Sequence, residues 1–182
     1  MEKLRYKLIR SSRRTIGMEL KNGELIVRAP YFALRSAIDR FVEENRAWAE
    51  NALQKAAQAQ TAPKLTEAEL KELRARAAEY IPGRVSYYAL RIGVRVNRIS
   101  IRCQKTKWGS CSSKGNLNFN CLLMLMPPEV IDSVVVHELC HRKHRDHSAA
   151  FYAEIDRVFP EYKKWHGYLK EHGAEIMARA DG

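Results

Sequence analysis

Hydrophobic and polar residues alternate along the first thirty positions in the way that predicts strands with one buried face. Residues 6–10 show this pattern, and so do residues 15–20 and 24–28. The last two stretches flank Lys21-Asn22-Gly23, whose Asn and Gly accept the positive φ angles of a tight turn. We therefore expect a β-hairpin here, ended by Ala29-Pro30.

The hydrophobic spacing then changes to that of helices. Apolar residues recur at helical intervals from about residue 34 to residue 60, which predicts one long helix. Pro63 marks the clearest break, and Thr66 with Glu69 resembles a capping box that begins a second helix. Ile81-Pro82-Gly83 is expected to end that second helix.

Three stretches in the middle of the chain again alternate with a period of two. Residues 92–96 and 99–103 place polar residues, several of them arginines, on one face, and residues 116–124 place three asparagines there. Gly and Ser are frequent in residues 107–115, which indicates a loop. The pattern therefore predicts three half-buried strands.

The last third of the chain is predicted to be helical. Met126-Pro127-Pro128-Glu129 is typical of a helix start, since proline suits the first helical position and glutamate complements the helix dipole. A buried helix is predicted from about Pro128 to Arg142, and further helices at about 148–159 and 162–180. Strands and helices occupy separate parts of the chain, and the predicted fold class is α+β.

The chain is expected to form one compact unit with two regions. Residues 1–62 make an N-terminal region with a β-hairpin and the long helix, and residues 63–182 make the catalytic region. A chain of 182 residues can bury a real core, so neither a disulfide nor a metal is needed for folding.

The candidate chemistry is concentrated in His137-Glu138-Leu139-Cys140-His141, an H-E-x-x-H motif. On a helix, residues i and i+4 share one face, so His137 and His141 can place two imidazole nitrogens on one metal ion. Glu138 projects about 100° around the helix, beside the metal, where it can reach a water bound there. A catalytic zinc usually has three protein ligands, so a third is required.

His147, six residues beyond His141, is the favoured third ligand. The chain would leave the helix and turn back, helped by Asp146 and by Ser148 as the cap of the next helix. His144 is a rival, but three histidines stacked along one helix span roughly 10 Å, too far for bonds near 2.1 Å. His144 also stands where similar motifs often use glycine for the turn. The other alternative is a carboxylate from a later helix: Glu154, Glu171 or Glu175.

Imidazole donors and an open coordination position favour zinc, one ion per chain, over manganese, cobalt or nickel. Glu138 would take a proton from water activated by the zinc and return it to the leaving amine after attack on a carbonyl. A further group must stabilise the oxyanion. The candidates are Tyr152, Tyr162, His166 and His172.

The net charge of +11 suggests an anionic partner, and nucleic acid is one such partner. Eight Arg or Lys residues and no acid lie between Arg84 and Lys114, which is either a basic strip for nucleic acid or phosphate, or a solubilising surface. Four cysteines without a C-x-x-C pair predict free thiols and a cytoplasmic location. No apolar run approaches roughly 18 residues, so neither a membrane span nor a signal peptide is expected.

Distinctive sequence is found at Trp108-Gly109-Ser110-Cys111, and at residues 115–120, 127–141 and 147–151. These segments resemble the YgjP-like family of small bacterial zinc metallopeptidases or metal-dependent hydrolases, which is related to SprT-like and other minimal zincins. The resemblance is most specific over residues 99–164, and it implies a minimal zincin-like core.

The same resemblance implies His137, His141 and His147 as metal ligands and Glu138 as the catalytic residue. It also suggests that the asparagine-bearing strand, Asn116–Leu123, is the sheet edge along which an extended peptide substrate pairs.

The favoured function is that of a cytoplasmic zinc-dependent peptidase acting on peptides or proteins. The alternative is metal-dependent hydrolysis of a nucleotide or another phosphate-bearing substrate, held by the arginines of residues 91–102 and by Lys105 and Lys107. A third possibility is a DNA- or RNA-binding protein with a structural metal. It is disfavoured because Glu138 stands where a closed metal site would have a fourth ligand.

Overall fold

The computed structural model describes residues 4–21, 23–104 and 106–180, without the side chains of residues 58–60. The chain divides between Thr61 and Ala62 into two compact units. The first contains β1 (Lys7–Ser11), β2 (Gly17–Lys21), β3 (Glu24–Pro30), α1 (Arg35–Glu44) and α2 (Arg46–Thr61). The second contains α3 (Glu67–Ile92), β4 (Arg98–Arg102), β5 (Gly109–Cys111), β6 (Asn116–Asn120), a 3-10 turn (Cys121–Leu125), α4 (Pro128–Cys140), α5 (Ala149–Val158) and α6 (Tyr162–Ala178). The predicted α+β class is confirmed.

The first unit is a three-stranded sheet with two helices. The strand order is β1-β3-β2, with β1 parallel and β2 antiparallel to the central β3. The predicted hairpin is confirmed, and Gly23 has the positive φ of 77° that its turn requires. Asn22 of the predicted turn lies outside the described residues. The core of this unit contains Val27, Ala29, Ile38 and Val42.

The prediction of one unbroken helix over residues 34–60 is wrong, because the helix is interrupted at Asn45. Its backbone leaves the helical conformation with φ −105° and ψ 16°. Its side-chain amide donates a hydrogen bond to the carbonyl oxygen of Phe41 at 2.8 Å. Asparagine side chains often compete in this way with the backbone hydrogen bonds of a helix.

The prediction that Ile81-Pro82-Gly83 ends the second helix is also wrong. Helix α3 begins at the predicted capping box of Thr66 and Glu69, and it continues through Pro82 to Ile92. Proline removes one backbone donor, but a buried stripe on both sides of it holds the helix on the core. That stripe consists of Leu70, Leu73, Ala77, Ile81, Val85, Tyr88 and Ile92.

The longer helix also removes a predicted strand. Residues 92–96 were expected to be extended, but α3 ends at Ile92 and Gly93 caps it in the left-handed region with φ 76°. Of the stretch 91–102, only β4 is a strand. Packing of α3 against the second unit's core therefore outweighs the local alternation of residues 92–96.

In the sheet of the second unit, the asparagine-bearing strand β6 is central. The strand order is β4-β6-β5, with β4 parallel and β5 antiparallel to β6. The expectation that Asn116–Leu123 forms a free edge is therefore wrong, because both sides of β6 are already paired. Among the described strands of this sheet, β4 and β5 are the edges.

Asn120 ends β6 earlier than predicted and fixes the loop before β5. Its side-chain oxygen accepts from the backbone N–H of Leu122 at 3.2 Å, which begins the 3-10 turn. Its amide donates to the carbonyl oxygens of Gln104 and Lys107 at 2.7 and 3.0 Å. The residue is 1% exposed, so these bonds are shielded from water.

A disulfide joins Cys103 to Cys121 at the same place. The expectation of free thiols is therefore wrong for these two residues, while Cys111 and Cys140 are free. The two partners are 18 positions apart, and only the parallel pairing of β4 with β6 brings the two strand ends together.

Helix α4 is buried along nearly its whole length and carries the H-E-x-x-H motif. It begins at Pro128 as predicted and ends at Cys140, two residues before the predicted end. Asp132 accepts two hydrogen bonds of 2.6 Å from Arg84 and one of 3.1 Å from Tyr88, which ties α4 to α3. None of the helices in the described residues combines the length and the hydrophobicity needed to cross a lipid bilayer.

Candidate metal centre

Three histidines converge at the C-terminal end of α4. The Nε2 atom of His137 lies 3.2 Å from the Nε2 atom of His141 and 3.2 Å from that of His147. Two nitrogens bound tetrahedrally to one ion with bonds near 2.1 Å would be about 3.4 Å apart. The donor atoms of the three residues lie within 4.8 Å of one another, so they fit a single metal ion.

The chain reaches His147 through a tight turn directly after α4. The N–H groups of Lys143 and His144 both donate to the carbonyl oxygen of Cys140, at 3.0 and 2.9 Å. Further along, hydrogen bonds from Ser148 lower the pKa of Asp146. These local contacts bring the chain back so that His147 faces the motif helix.

The alternative ligands lie elsewhere. His144 contributes its backbone, whose carbonyl oxygen is 3.1 Å from Nδ1 of His141 and fixes that ring with Nε2 directed to the site. Glu154 pairs with Lys143 at 2.9 Å and with Arg157 at 2.7 Å. Within the described residues, the only group of three or more potential ligands is the histidine trio.

His137 is held by Tyr162, which was one of the residues expected as candidates for stabilising the oxyanion. The hydroxyl of Tyr162 lies 2.8 Å from Nδ1 of His137 and 3.2 Å from Nδ1 of His166. Tyr162 is 2% exposed, and burial raises its pKa. It therefore stays protonated and positions the ring of His137. The available signal was the i, i+4 spacing of Tyr162 and His166, which places both on one face of α6.

His137 is in the protonation state that metal binding requires. Burial, together with the neighbouring His141 and His147, lowers the pKa of His137 to about 3. Its imidazole is therefore neutral at physiological pH and keeps a lone pair for a metal ion.

We expect the substitution Tyr162→Phe to weaken zinc binding by about tenfold, because loss of a hydrogen bond to a ligand histidine typically costs 10–100-fold in metal affinity. Competition with a chromophoric chelator measures the affinity directly. Tyr168→Phe is the matched control, since Tyr168 is on the same helix and 37% exposed. Equal zinc affinities of Tyr162→Phe and wild type would contradict a positioning role.

Glu138 lies between the histidines and the edge strand β5. It is 7% exposed, and burial raises the pKa of its carboxyl to about 7, with the positive charge of Lys107 opposing this shift. A Cβ atom added to Gly109 would lie 2.7 Å from both Cγ and Oε1 of Glu138. The carboxylate therefore packs directly over the backbone of β5, and Gly109 is required for that approach.

Strand β5 is fixed at the end where the chain enters it. The backbone N–H of Asn120 donates to the carbonyl oxygen of Trp108 at 2.9 Å. The Trp108 indole lies so close to α6 that a Cβ atom on Gly173 would be 3.1 Å from it. Contacts with β6 and with α6 therefore fix the position of β5, the strand beside Glu138.

The remaining candidates differ in their distance from the histidines. The ring of Tyr152 lies 6.4 Å from the rings of His147 and Tyr162, at the border of the site. His172 instead packs against Tyr168, with 4.2 Å between the ring centroids, and is not part of the histidine cluster. The basic residues proposed to hold phosphate include Arg98 and Arg102, which are exposed on β4, while Lys105 lies outside the described residues.

Comparison with known proteins places this geometry in a family. The family model described as YgjP-like, metallopeptidase domain, matches residues 58–172. No curated protein sequence matches the chain. Two similar solved structures are the metallopeptidase zymogens abylysin of Pyrococcus abyssi and jannalysin of Methanocaldococcus jannaschii.

Abylysin is 22% identical with a TM-score of 0.45, and the similarity covers 50% of this chain and 93% of that one. Jannalysin is 21% identical with a TM-score of 0.46, over 50% of this chain and 94% of that one. The family model, in contrast, spans well over half of the present sequence. The protein therefore belongs to the YgjP-like family of metallopeptidase domains and is a metal-dependent hydrolase.

Proposed function

We propose that the protein is a zinc-dependent peptidase in which His137, His141 and His147 hold one zinc ion and Glu138 acts as general base. The observation that carries the proposal is the convergence of three imidazole Nε2 atoms beside a buried carboxylate. Three imidazoles leave an open coordination position, as catalytic zinc sites do.

When bound, zinc polarises a carbonyl group and lowers the pKa of water towards about 7. The part of the reaction that falls to the protein is proton transfer. Glu138 accepts a proton from the attacking water and delivers it to the leaving amine, so that the amine departs as a neutral group. The position of Glu138 over Gly109 keeps its carboxylate at the strand where a substrate would lie.

A peptide is the favoured substrate because β5 offers an open edge directly beside Glu138. An extended peptide that pairs with β5 gains main-chain hydrogen bonds independent of its sequence, and its carbonyl groups come to lie near the carboxylate. The arginines of β4 are separated from β5 by the intervening β6, roughly 10 Å away. They are therefore poorly placed to hold a phosphate group at the histidines.

The proposal is tested by removing metal with a chelator, reloading with one equivalent of zinc, and assaying both forms against a peptide pool and a nucleotide pool. Mass spectrometry of the products identifies the bond cleaved. We expect peptide cleavage by the zinc form alone. Cleavage of nucleotides without cleavage of peptides would overturn the assignment, and so would failure of the metal-free protein to bind zinc.

A further inference from the structure

A cleft of about 320 Å³ opens directly beside His141 and His147. It lies between the loop that follows β5 and the turn that follows α4. Its lining contains two guanidinium groups and no carboxylate, and the residues other than the two histidines are Cys111, Ser112, Ser113, Arg142 and Arg145.

Arg142 is a fixed cation in this cleft. Its Nε donates to the carbonyl oxygen of Arg95 at 3.3 Å, and its Nη1 donates to that of Ser113 at 3.2 Å. The guanidinium lies against the backbone of Gly115, where a Cβ atom would be 2.9 Å from Cζ. Both acceptors are neutral, so these bonds hold the side chain in place and leave its positive charge without a counter-charge.

Arg145 supplies the second charge, and it is exposed. Neither Arg142 nor Arg145 forms an ion pair with a carboxylate of the described residues. The adjacent Asp146 is engaged by hydrogen bonds from Ser148. The cleft therefore presents two uncompensated guanidinium groups beside the metal ligands.

The cleft is continuous with the strand proposed to bind substrate. Cys111 is the last residue of β5, and Ser112 and Ser113 follow it directly. A peptide lying along β5 and past the histidines would thus place a neighbouring group in the cleft. Guanidinium groups bind carboxylates with charge-assisted hydrogen bonds in fixed geometry.

We propose that this cleft is a subsite for a carboxylate of the peptide substrate, close to the bond that is cleaved. The carboxylate belongs either to an acidic side chain or to the free C-terminus of the substrate, and both sources present the same group. This inference rests on the proposed peptidase function. It adds a preference for substrates with a carboxylate near the cleaved bond, which the histidines and Glu138 alone do not create.

The test uses the full-length zinc-loaded protein and a set of peptides built on a sequence that it cleaves. Each position next to the cleaved bond carries Glu, Gln or Lys in turn, and each peptide is made with a free and with an amidated C-terminus. We expect kcat/KM to be about tenfold higher for one carboxylate-bearing peptide than for its neutral counterpart, mainly through KM. A gain from Glu identifies a side-chain subsite, and a gain from the free C-terminus identifies terminal recognition.

Charge reversal at Arg145 tests whether the preference for carboxylate-bearing peptides arises in the cleft. We expect Arg145→Glu to abolish the tenfold preference and to favour the Lys peptide, while Arg76→Glu, an exposed change of equal charge on α3, leaves it intact. Two results would overturn the subsite but leave the peptidase assignment in place. One is peptide cleavage without any carboxylate preference, and the other is a carboxylate preference that survives Arg145→Glu. Absence of all peptide cleavage overturns both.

Discussion

The substitution Glu138→Gln is expected to lower kcat for peptide cleavage by about a thousandfold, within the 10²–10⁴ range of general acid–base catalysis. Glutamine preserves the volume of the buried side chain but cannot accept the proton of the attacking water. Zinc content should remain at one ion per chain, because the three ligands of the proposed site are all histidines.

Two measurements on the purified variant establish the cause of this loss. Single-turnover kinetics report the chemical step, and metal analysis tests whether the variant still binds one zinc ion per chain. Glu72→Gln is the matched control, since Glu72 is exposed on α3 and far from the motif in sequence. Turnover by Glu138→Gln at the wild-type rate would show that another group is the base.

The substitution Gly109→Ala is expected to lower kcat by about a hundredfold, because a displacement of 1 Å in a catalytic group can cost that much. The added methyl group would lie 2.7 Å from Cγ and Oε1 of Glu138, so the carboxylate must move away from β5. The substitution leaves the three histidines of the proposed zinc site in place, and zinc binding should remain at one ion per chain.

A double-mutant cycle separates this effect from a general disturbance of the sheet. If Gly109→Ala acts through Glu138, it should add little to the loss already caused by Glu138→Gln. Gly83→Ala is the matched control, because it is also a glycine-to-alanine change. A Cβ atom added at Gly83, on α3, has nothing within 4 Å beyond its chain neighbours and its own helix backbone, so the activity of this variant should equal that of wild type. Full additivity in the cycle would show that Gly109 acts by another route.

The parts of the site that could be predicted from sequence depend on local geometry. His137 and His141 share a face because they are four residues apart on one helix, and the start of α4 is encoded by the adjacent prolines. His147 was favoured over His144 by helix geometry alone. The turn that brings it back relies on backbone hydrogen bonds to Cys140, which no sequence pattern displays.

The parts that could not be predicted depend on contacts between distant residues. Helix α3 passes through Pro82 because its buried stripe packs against α4 and the 3-10 turn. The alternation in β6 shows a half-buried strand but not which neighbours it pairs with, so its central place in the sheet was missed. The Cys103–Cys121 disulfide and the contact of Tyr162 with His137 also join residues that are far apart in the sequence, so neither could be predicted from local patterns.

The close approach of Gly109 to Glu138 also divides the rim of the site into a part that can vary and a part that cannot. Any side chain at position 109 moves the carboxylate, so this point of β5 is closed to sequence change. Ser112 and Ser113 beyond the strand are exposed, as is Arg145 on the facing turn. Substitutions on these two loops would therefore alter the proposed carboxylate subsite, while Glu138, the proposed general base, would keep its position over Gly109.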